Sequence, residues 1–276
     1  MNIGPCKGAF ISQLIAERKP STMIELGGYV GYSAILFGDA VHSTGGKEYI
    51  SLEINPENAA VANMLIELAG LRVFVRIIVG SSNESLIKLI KVDKKISQIE
   101  LLFIDHWKDL YLPDLLLEEL NVLKPGISVL AADNVIMPGA PEYLEWVRAS
   151  LAQKREMTEK RKLALSKDGV GNGATKDAVI DPSRVLGNPN LVYESTIEMF
   201  ERPGGRTVRI PLPKISVLFC SCRTWNDTHE CSIGRSRGHQ SCWRRDYLTQ
   251  SAQDMRFRTE RNNNKFKRDK VQARID

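Results

Sequence analysis

Short apolar runs alternate with longer helical segments from about residue 9 to residue 213. Most of the helical segments have apolar residues spaced along one face, which is the pattern of an amphipathic helix. This alternation predicts an α/β fold, because successive parallel strands of one sheet need helical crossovers between them. The predicted strands are Thr22–Leu26, Glu48–Ile54, Val73–Val79, Leu101–Ile104 and Ser128–Ala132. We therefore expect a doubly wound, mostly parallel sheet.

The segments around these strands complete the predicted domain, residues 1–213. The predicted helices are Gly8–Arg18, Tyr32–Val41, Pro56–Gly70, Glu84–Lys91, Leu112–Leu120 and Pro141–Leu151. Residues 152–190 are polar and rich in Lys, Arg, Gly and Asn, which indicates a flexible insertion. Leu191–Phe200 and Thr207–Ile210 flank the turn at residues 203–205. They predict an antiparallel hairpin that would bring the sheet to seven strands.

The positive charge of the chain is concentrated after residue 213. Residues 214–276 contain 14 Lys and Arg against 7 Asp and Glu, which leaves the first 213 residues with a net charge of −2. The folded part is therefore not expected to bind nucleic acid. The last segment lacks apolar periodicity, and we expect it to be a disordered tail. A basic arm that contacts nucleic acid or anionic lipid stays an alternative, as does a zinc site of non-standard spacing formed by Cys220, Cys222, His229, Cys231, His239 and Cys242.

The cellular setting is predicted from three features. The chain has five cysteines, too few and too irregular for the dense framework of a small secreted domain. Its first residues do not have a basic leader followed by a long apolar core. No window of about 18 consecutive apolar residues occurs. We expect a cytoplasmic protein that does not enter a membrane.

A glycine-rich turn, ELGGYVGYS at residues 25–33, follows the first predicted strand. Glycines there let the backbone approach a ligand, although they also occur in ordinary turns. Glu53, at the end of the second strand, is suited to accept hydrogen bonds from both hydroxyls of a ribose, or is a solvated carboxylate. The glycine spacing matches neither the dinucleotide fingerprint nor a Walker loop. A nucleoside cofactor without a diphosphate fits better, and S-adenosylmethionine has this chemistry.

Oxygen-bearing side chains follow two further strands. Asp105 comes directly after Leu101–Ile104, and Asp133 and Asn134 come directly after Ser128–Ala132. In an open α/β sheet these residues project into the same crevice as the glycine turn, although each acid alone could be a strand-end cap. Two carboxylates and one amide oxygen are hard donors, which suit an octahedral Mg²⁺ better than zinc.

Five stretches together resemble the catechol O-methyltransferase family, the magnesium-dependent enzymes of the S-adenosylmethionine superfamily with a Rossmann-like sheet. They are ELGGYVGYSA, LEINPENAA, VGSSNE, FIDHWKDLYLPDLLLEE and ADNVIMPGAPEYL. The resemblance covers residues 1 to about 150 nearly without gaps and recurs weakly at 191–211. It implies a Rossmann-like fold and a monomeric enzyme that transfers a methyl group from S-adenosylmethionine to one hydroxyl of a small catechol.

The resemblance also implies roles for individual residues. Asp105, Asp133 and Asn134 would bind Mg²⁺, and Lys108 would be the general base; Lys108 and Asn134 would also contact the catechol. Cofactor contacts are implied along the glycine turn and at nearby strand ends, at Ile3, Gly27, Tyr29, Ser33, Glu53, Ile54, Ser82, Asn83, His106 and Trp107. The family usually has glutamine where this chain has Asn83.

Other positions are open to two interpretations. A family glutamate that holds the second catechol hydroxyl corresponds to Glu201, with Glu198 as the alternative. Candidates for the wall of the acceptor pocket are Met1, Asn2, Trp107 and Pro138. Trp107 could instead pack in the core, His106 could make a local structural hydrogen bond, and Pro138 could be an ordinary loop proline.

The chain departs from the family at both ends. It begins inside the region of helices that cover the cofactor, which implies truncation at the N-terminus, and residues 214–276 have no counterpart in the family. Two alternatives to a catechol O-methyltransferase therefore stay open. One is an inactive paralogue or scaffold that binds the cofactor, and the other is a methyltransferase of larger caffeoyl or flavonoid diols.

Overall fold

Strands and helices follow one another in the order that the sequence predicts. The computed structural model describes residues 3–119, 122–167, 184–200 and 215–224. The strands are β1 (Thr22–Leu26), β2 (Glu48–Glu53), β3 (Val75–Val79), β4 (Leu101–Ile104), β5 (Val129–Asp133), β6 (Leu191–Phe200) and β7 (Ile215–Thr224). The helices are α1 (Gly4–Arg18), α2 (Tyr32–Ser43), α3 (Pro56–Leu68), α4 (Ser82–Ile87), α5 (Tyr111–Glu119), α6 (Pro141–Arg148) and α7 (Leu151–Lys167). Shorter helical turns span Lys88–Val92, Lys108–Leu110 and Val135–Gly139.

The described strands form one sheet in the order β3-β2-β1-β4-β5-β7-β6. Strands β1 to β5 pair in parallel, so the predicted five-stranded parallel sheet is confirmed. From β1 the chain proceeds outward to β2 and β3, and then returns to add β4 and β5 on the other side. This reversal of strand order lies between β1 and β4, which is where open α/β sheets form their ligand crevice.

Apolar side chains cover both faces of the parallel strands. Leu102 and Ile104 of β4 belong to a buried cluster that includes residues of α5 and α6. Leu101 and Phe103, the alternate residues of the same strand, belong to a second cluster with residues of α1 and α2. Because both faces are buried, these strands are continuous apolar runs rather than alternating ones. The sheet is therefore a rigid support for the residues that follow its strands.

The last two strands differ from the predicted hairpin. Strand β6 agrees with the prediction, but its partner β7 lies at Ile215–Thr224, within the segment assigned to the tail. The strand predicted at Thr207–Ile210 lies outside the described residues. β7 runs antiparallel between β5 and β6, so its backbone groups have hydrogen-bonding partners on both sides. The apolar run at residues 217–219 is short and lies next to a polar segment, which is why its strand character was missed.

The predicted flexible insertion is wrong in its first part, which forms helix α7. Strong helix formers occupy most positions of α7, and Glu156 and Lys160 form an i,i+4 ion pair at 2.8 Å. Lys154 attaches the helix to the domain, because its buried Nζ donates to the main-chain oxygen of Leu191 at 2.6 Å and lies 3.3 Å from Glu119 Oε1. A high density of charge therefore marks an exposed helix here rather than a loop.

The length and apolar character of the helices bear on whether any of them could span a membrane. A span needs about 20 predominantly apolar residues. None of the helices within the described parts of the chain combines that length with that apolar character.

Candidate active site

Two glycines bring the turn after β1 against its neighbours. Gly27 has φ +97°, and a Cβ there would lie 2.7 Å from the main-chain oxygen of Asp105. Gly31 has φ +88°, and a Cβ there would lie 2.9 Å from the Cβ of Ala62 in α3. Only glycine accommodates both this backbone conformation and this close approach. The turn is therefore held directly beside the end of β4.

The carboxylate of Glu53 is held in place by two main-chain amides. Glu53 is only 7% exposed as a residue. Its Oε2 accepts from the Tyr29 N–H at 2.7 Å, and its Oε1 accepts from the Asn55 N–H at 2.8 Å. Each carboxylate oxygen has a second lone pair for another donor. Glu53 therefore presents an oriented acceptor at the rim, beside Ile54, which is 69% exposed.

Asp105, Asp133 and Asn134 meet at the ends of β4 and β5, each in contact with a lysine. Lys7 Nζ donates to Asp133 Oδ2 and, at 3.0 Å, to Asn134 Oδ1. Lys108 Nζ donates to Asp105 Oδ1 at 3.3 Å and to the main-chain oxygen of Asp133 at 3.2 Å. The predicted metal ligands thus form one cluster with two ammonium groups.

Burial and mutual repulsion shift the pKa values of this cluster. Burial, and then the negative charge of Asp133, raise the pKa of Asp105 to about 6, against the opposing effect of Lys108 and Lys7. Burial also raises the pKa of Asp133, although Lys7 opposes this shift. The pKa of Lys108 is lowered by burial. Asp105 and Asp133 therefore interact electrostatically at the ends of β4 and β5.

Tyr111, a residue outside the predicted site, supports Lys108. Its hydroxyl accepts a hydrogen bond from Lys108 Nζ and lies 2.9 Å from the main-chain oxygen of Ile104 and 3.0 Å from that of Asp133. Lys108 Nζ also lies 4.5 Å from the centre of the Tyr111 ring. The spacing of three residues in a helical turn was the available signal, because it places the two side chains on one face.

His106 and Trp107 have different environments. His106 Nε2 lies 2.9 Å from Oδ2 of the buried Asp114, and its ring stacks on Tyr111 at 5.2 Å. This arrangement fits the local structural role that the sequence left open for His106. Trp107 is 73% exposed, so the alternative of core packing is wrong for it. Its indole is available at the rim of the crevice.

The remaining predicted residues are distributed around the same edge. Ile3 and Ser82 are buried, and Asn83 Oδ1 accepts from the Glu84 N–H at 2.7 Å. Ser33 is half-buried in the first turn of α2, and Pro138 lies in the turn after β5. Met1, Asn2 and Glu201 lie outside the described residues.

The strand register relates Glu198 to the metal cluster. Glu198 of β6 is opposite Val217 of β7, and Val217 is opposite Asp133 of β5. Residues in one such row point to the same face of a sheet. The register therefore places the alternative glutamate, Glu198, on the same row as Asp133, whereas Glu201 has no described position to compare with it.

Two further buried charges were missed by the sequence analysis. Lys7 is four residues before the buried Ile11, on the apolar stripe of α1, where a surface lysine would not be expected. Glu25 is buried in β1 beside the hydroxyls of Ser33, Ser51 and Tyr49, and burial raises its pKa to about 7 against the opposing effect of these hydroxyls. For both residues the sequence contained a signal of burial, because Lys7 occupies a position of the apolar stripe of α1 and Glu25 lies within the apolar run of β1.

The oxygen atoms of this cluster fit a hard cation. The described residues contain no group of three or more His, Cys, Asp and Glu side chains that could hold a metal ion, so any such site depends on the amide as well. The ammonium of Lys7 contacts oxygens of both Asp133 and Asn134, and these oxygens therefore converge on the position of a cation. Carboxylate and amide oxygens are also the donors that Mg²⁺ prefers.

Comparison with known proteins gives concordant results. Residues 1–168 match a family model described as O-methyltransferase. Catechol O-methyltransferase of Mus musculus is 43% identical over 151 residues, which cover 54% of this chain and 56% of that protein. The Sus scrofa enzyme is 42% identical over 149 residues, 54% of this chain and 78% of that protein. The transmembrane O-methyltransferase of Homo sapiens is 38% identical over 149 residues, 54% of this chain and 50% of that protein.

The fold of this chain is also similar to those of solved structures. The O-methyltransferase from Bacillus cereus in complex with SAH has a TM-score of 0.51 and 20% identity, covering 80% of this chain and 82% of that one. TomG from Streptomyces achromogenes in complex with SAM has a TM-score of 0.52 and 17% identity, with coverage of 80% and 82%. Identities this low show the fold alone.

The extent of these matches decides what they establish. The chain spans about half the length of the mouse and human relatives, so it is compared with only part of those proteins. The family model, in contrast, matches more than half of this chain. The matched part includes strands β1 to β5 and the candidate site residues at their carboxyl ends. The protein belongs to the O-methyltransferase family and resembles the catechol O-methyltransferases within it.

Proposed function

We propose that this protein is a magnesium-dependent catechol O-methyltransferase that uses S-adenosylmethionine as the methyl donor. The observation that carries the proposal is the cluster of Asp105, Asp133 and Asn134 oxygens at two adjacent strand ends, beside the glycine turn. Identity of about 40% to curated catechol O-methyltransferases supports the choice of acceptor.

Asp105, Asp133 and Asn134 would hold the metal ion. A divalent cation held by these residues would supply a Lewis acid that lowers the pKa of the reacting catechol hydroxyl. The donor atoms of the cluster support this role, because two carboxylates and the neutral amide oxygen of Asn134 are hard oxygen ligands. Glu198, on the same register row as Asp133, would hold the second hydroxyl.

Lys108 would accept the proton of the reacting hydroxyl. Burial already lowers its pKa, which favours the neutral amine that a base requires. The contacts with Tyr111 and Asp105 fix the position of Nζ beside the metal ligands. Trp107 and Pro138 would form the wall against which the ring of the acceptor lies.

The cofactor would lie across the switch point of the sheet. Glu53 would accept hydrogen bonds from the ribose hydroxyls, since both of its oxygens are fixed at the rim. Ile54 and Trp107 offer exposed apolar surfaces for a planar base. Further contacts are proposed from the glycine turn and its neighbours, at Ile3, Gly27, Tyr29, Ser33, Ser82 and Asn83. The side chain of His106 is occupied by Asp114, so its contact would come from the main chain.

Methyl transfer from labelled S-adenosylmethionine tests the proposal directly. We expect transfer to catechol that depends on Mg²⁺, and slower transfer to caffeoyl and flavonoid diols. Asp133→Ala should abolish Mg²⁺-dependent transfer, while calorimetry shows cofactor binding within a few-fold of wild type. Asp39→Ala, which removes an exposed acid of α2, is the matched control and should retain activity.

Three results would argue against the proposal. Equal loss of transfer and cofactor binding in Asp133→Ala would indicate that Asp133 is structural. Faster transfer to the larger diols would favour that alternative substrate class. Cofactor binding without transfer to any diol would favour an inactive paralogue.

A further inference from the structure

We propose that Lys7 occupies the cation position of the metal-free protein and is displaced when Mg²⁺ binds, so that it sets the metal affinity by competition. This inference rests on the proposed function, because it takes Asp133 and Asn134 as metal ligands. It assigns a role to a residue of α1 that lies 126 positions from Asp133 in the sequence.

Lys7 is buried and paired in a way that lysine rarely is. Its side chain is only 7% exposed, and Nζ donates to Asp133 Oδ2 and to Asn134 Oδ1, the latter at 3.0 Å. Lysine is almost never buried unless its charge is paired. The ammonium therefore has the same partners that the proposed metal ion would have.

The oxygen that Lys7 holds is the one that the metal would need. Asp133 Oδ1 accepts a hydrogen bond from the Asn134 N–H at 2.7 Å, so Oδ2 is the oxygen that faces the cluster. Mg²⁺ binds its oxygen ligands at about 2.1 Å and demands regular octahedral geometry. An ammonium within hydrogen-bond distance of the same two oxygens would overlap the metal's coordination sphere. The two cations therefore exclude each other.

Charge balance leads to the same result. In the metal-free cluster Asp105 and Asp133 are balanced by Lys7 and Lys108. Adding a divalent ion to this arrangement would leave four positive charges against two negative ones in a buried site, which is unfavourable at low dielectric. Departure of Lys7 relieves this repulsion, whereas Lys108 keeps its hydrogen bonds to the Tyr111 hydroxyl and the main-chain oxygen of Asp133.

Lys7 has a route out of the site. It lies in the first turn of α1, and Gly4, three residues before it on the same face of the helix, is partly exposed to solvent. The lysine stem is flexible and can extend along a surface while the charged end stays in water. The ammonium can therefore exchange its buried partners for solvent without unfolding α1.

Calorimetric titration of the cofactor-free protein with Mg²⁺ tests the competition. We expect Lys7→Met and Lys7→Gln to bind Mg²⁺ at least about 10-fold more tightly than wild type. In these variants no ammonium has to be displaced before the metal binds, so the apparent affinity for Mg²⁺ is higher. Lys47→Met removes an exposed lysine at the opposite edge of the sheet and should bind Mg²⁺ as wild type does.

A second measurement uses the wild-type chain, so it does not depend on the folding of any variant. Lysines are acetylated with a water-soluble ester, and the modified positions are identified by mass spectrometry. We expect Lys7 to be protected without metal and to become reactive at saturating Mg²⁺. Lys47 should react equally under both conditions.

The outcomes separate this inference from the proposed function. Mg²⁺ binding by wild type, with unchanged or weaker affinity in the Lys7 variants and Lys7 protected throughout, would overturn the competition alone. Absence of Mg²⁺ binding by wild type and by both Lys7 variants would overturn the competition together with the proposed metal dependence.

Discussion

At the scale of single residues, the site is a balance of buried charges. Asp105, Asp133, Lys7 and Lys108 would each be costly to bury alone, and together they satisfy one another. The same burial shifts the pKa values of Asp105, Asp133 and Lys108, so a structural constraint and a chemical property have one cause. Lys108 is the member of this group whose properties are most directly measurable.

Replacing Lys108 by Met should lower methyl transfer by roughly 10²-fold or more, which is the usual contribution of a general base. Because burial lowers its pKa, wild-type activity should rise as the pH increases through a value below the ordinary lysine pKa of 10.5, where the amine becomes neutral. Lys108→Met should lose this rise. The measurement is the pH dependence of turnover at saturating Mg²⁺.

The exposed Lys88→Met, on the helical turn after α4, is the matched control for charge loss and should keep the wild-type profile. A profile for Lys108→Met that parallels wild type would remove Lys108 from the proton transfer.

At the scale of elements, short contacts between neighbouring segments set the position of the site. The turn after β1 is fixed against the end of β4 by Gly27. Helix α7 is fixed against β6 by Lys154, whose Nζ lies 4.5 Å from the Trp146 ring and 4.3 Å from the Tyr193 ring. Each contact joins segments that are distant in sequence, so each can be tested by one substitution.

Gly27→Ala should destabilise the protein by about 2 kcal/mol or more, since it adds a side chain at φ +97° and a clash at 2.7 Å with the Asp105 main chain. Urea unfolding measures this change. Gly45→Ala is the matched control, because Gly45 has φ +88° but open space around its Cβ position. An equal loss in the two variants would mean that backbone strain alone, without the contact to β4, is responsible.

Lys154→Met should destabilise the protein by about 3 kcal/mol, because it leaves the buried carboxylate of Glu119 without its cation. Glu119 keeps hydrogen bonds from Trp146 and Tyr193, so the fold should persist. Thermal unfolding measures the loss. Lys160→Met breaks an exposed ion pair of the same helix and should leave the midpoint unchanged. Similar midpoints for both variants would contradict a role for Lys154 in attaching α7.

At the scale of the whole molecule, buried acids make stability depend on pH. Burial raises the pKa of Glu25 to about 7 and that of Glu118 well above its ordinary value. Between the unfolded pKa of 4.5 and about 7, folded Glu25 holds a proton that the unfolded chain releases. Its contribution to the free energy of unfolding therefore decreases as the pH rises through this window.

Glu25→Gln should remove this dependence. We compare the free energy of unfolding of the variant with that of wild type at two pH values. From about pH 4 to about pH 8 this difference should shift in favour of the variant by up to about 3 kcal/mol, because each pKa unit corresponds to about 1.4 kcal/mol. Urea unfolding of the cofactor-free protein at both pH values measures the gain. The exposed Glu67→Gln should follow wild type. A difference between Glu25→Gln and wild type that is the same at both pH values would show that Glu25 is ionised in the folded protein.

The sequence by itself determined the parallel sheet, the order of its elements and the residues that follow its strands. Apolar periodicity is a local property, and a residue directly after a buried strand must emerge at the edge of the sheet. This is why Asp105, Asp133 and Asn134 could be predicted to meet.

Only the tertiary structure decided which distant residues complete the site. Lys7 and Glu198 come from α1 and β6, and their places depend on helix packing and on a strand register through β7. Helix α7 likewise depends on Lys154 finding buried partners near β6, which outweighs the polar composition of the segment. Local periodicity can indicate that a charged residue is buried, but not which distant residues neutralise it, because those partners lie far along the chain.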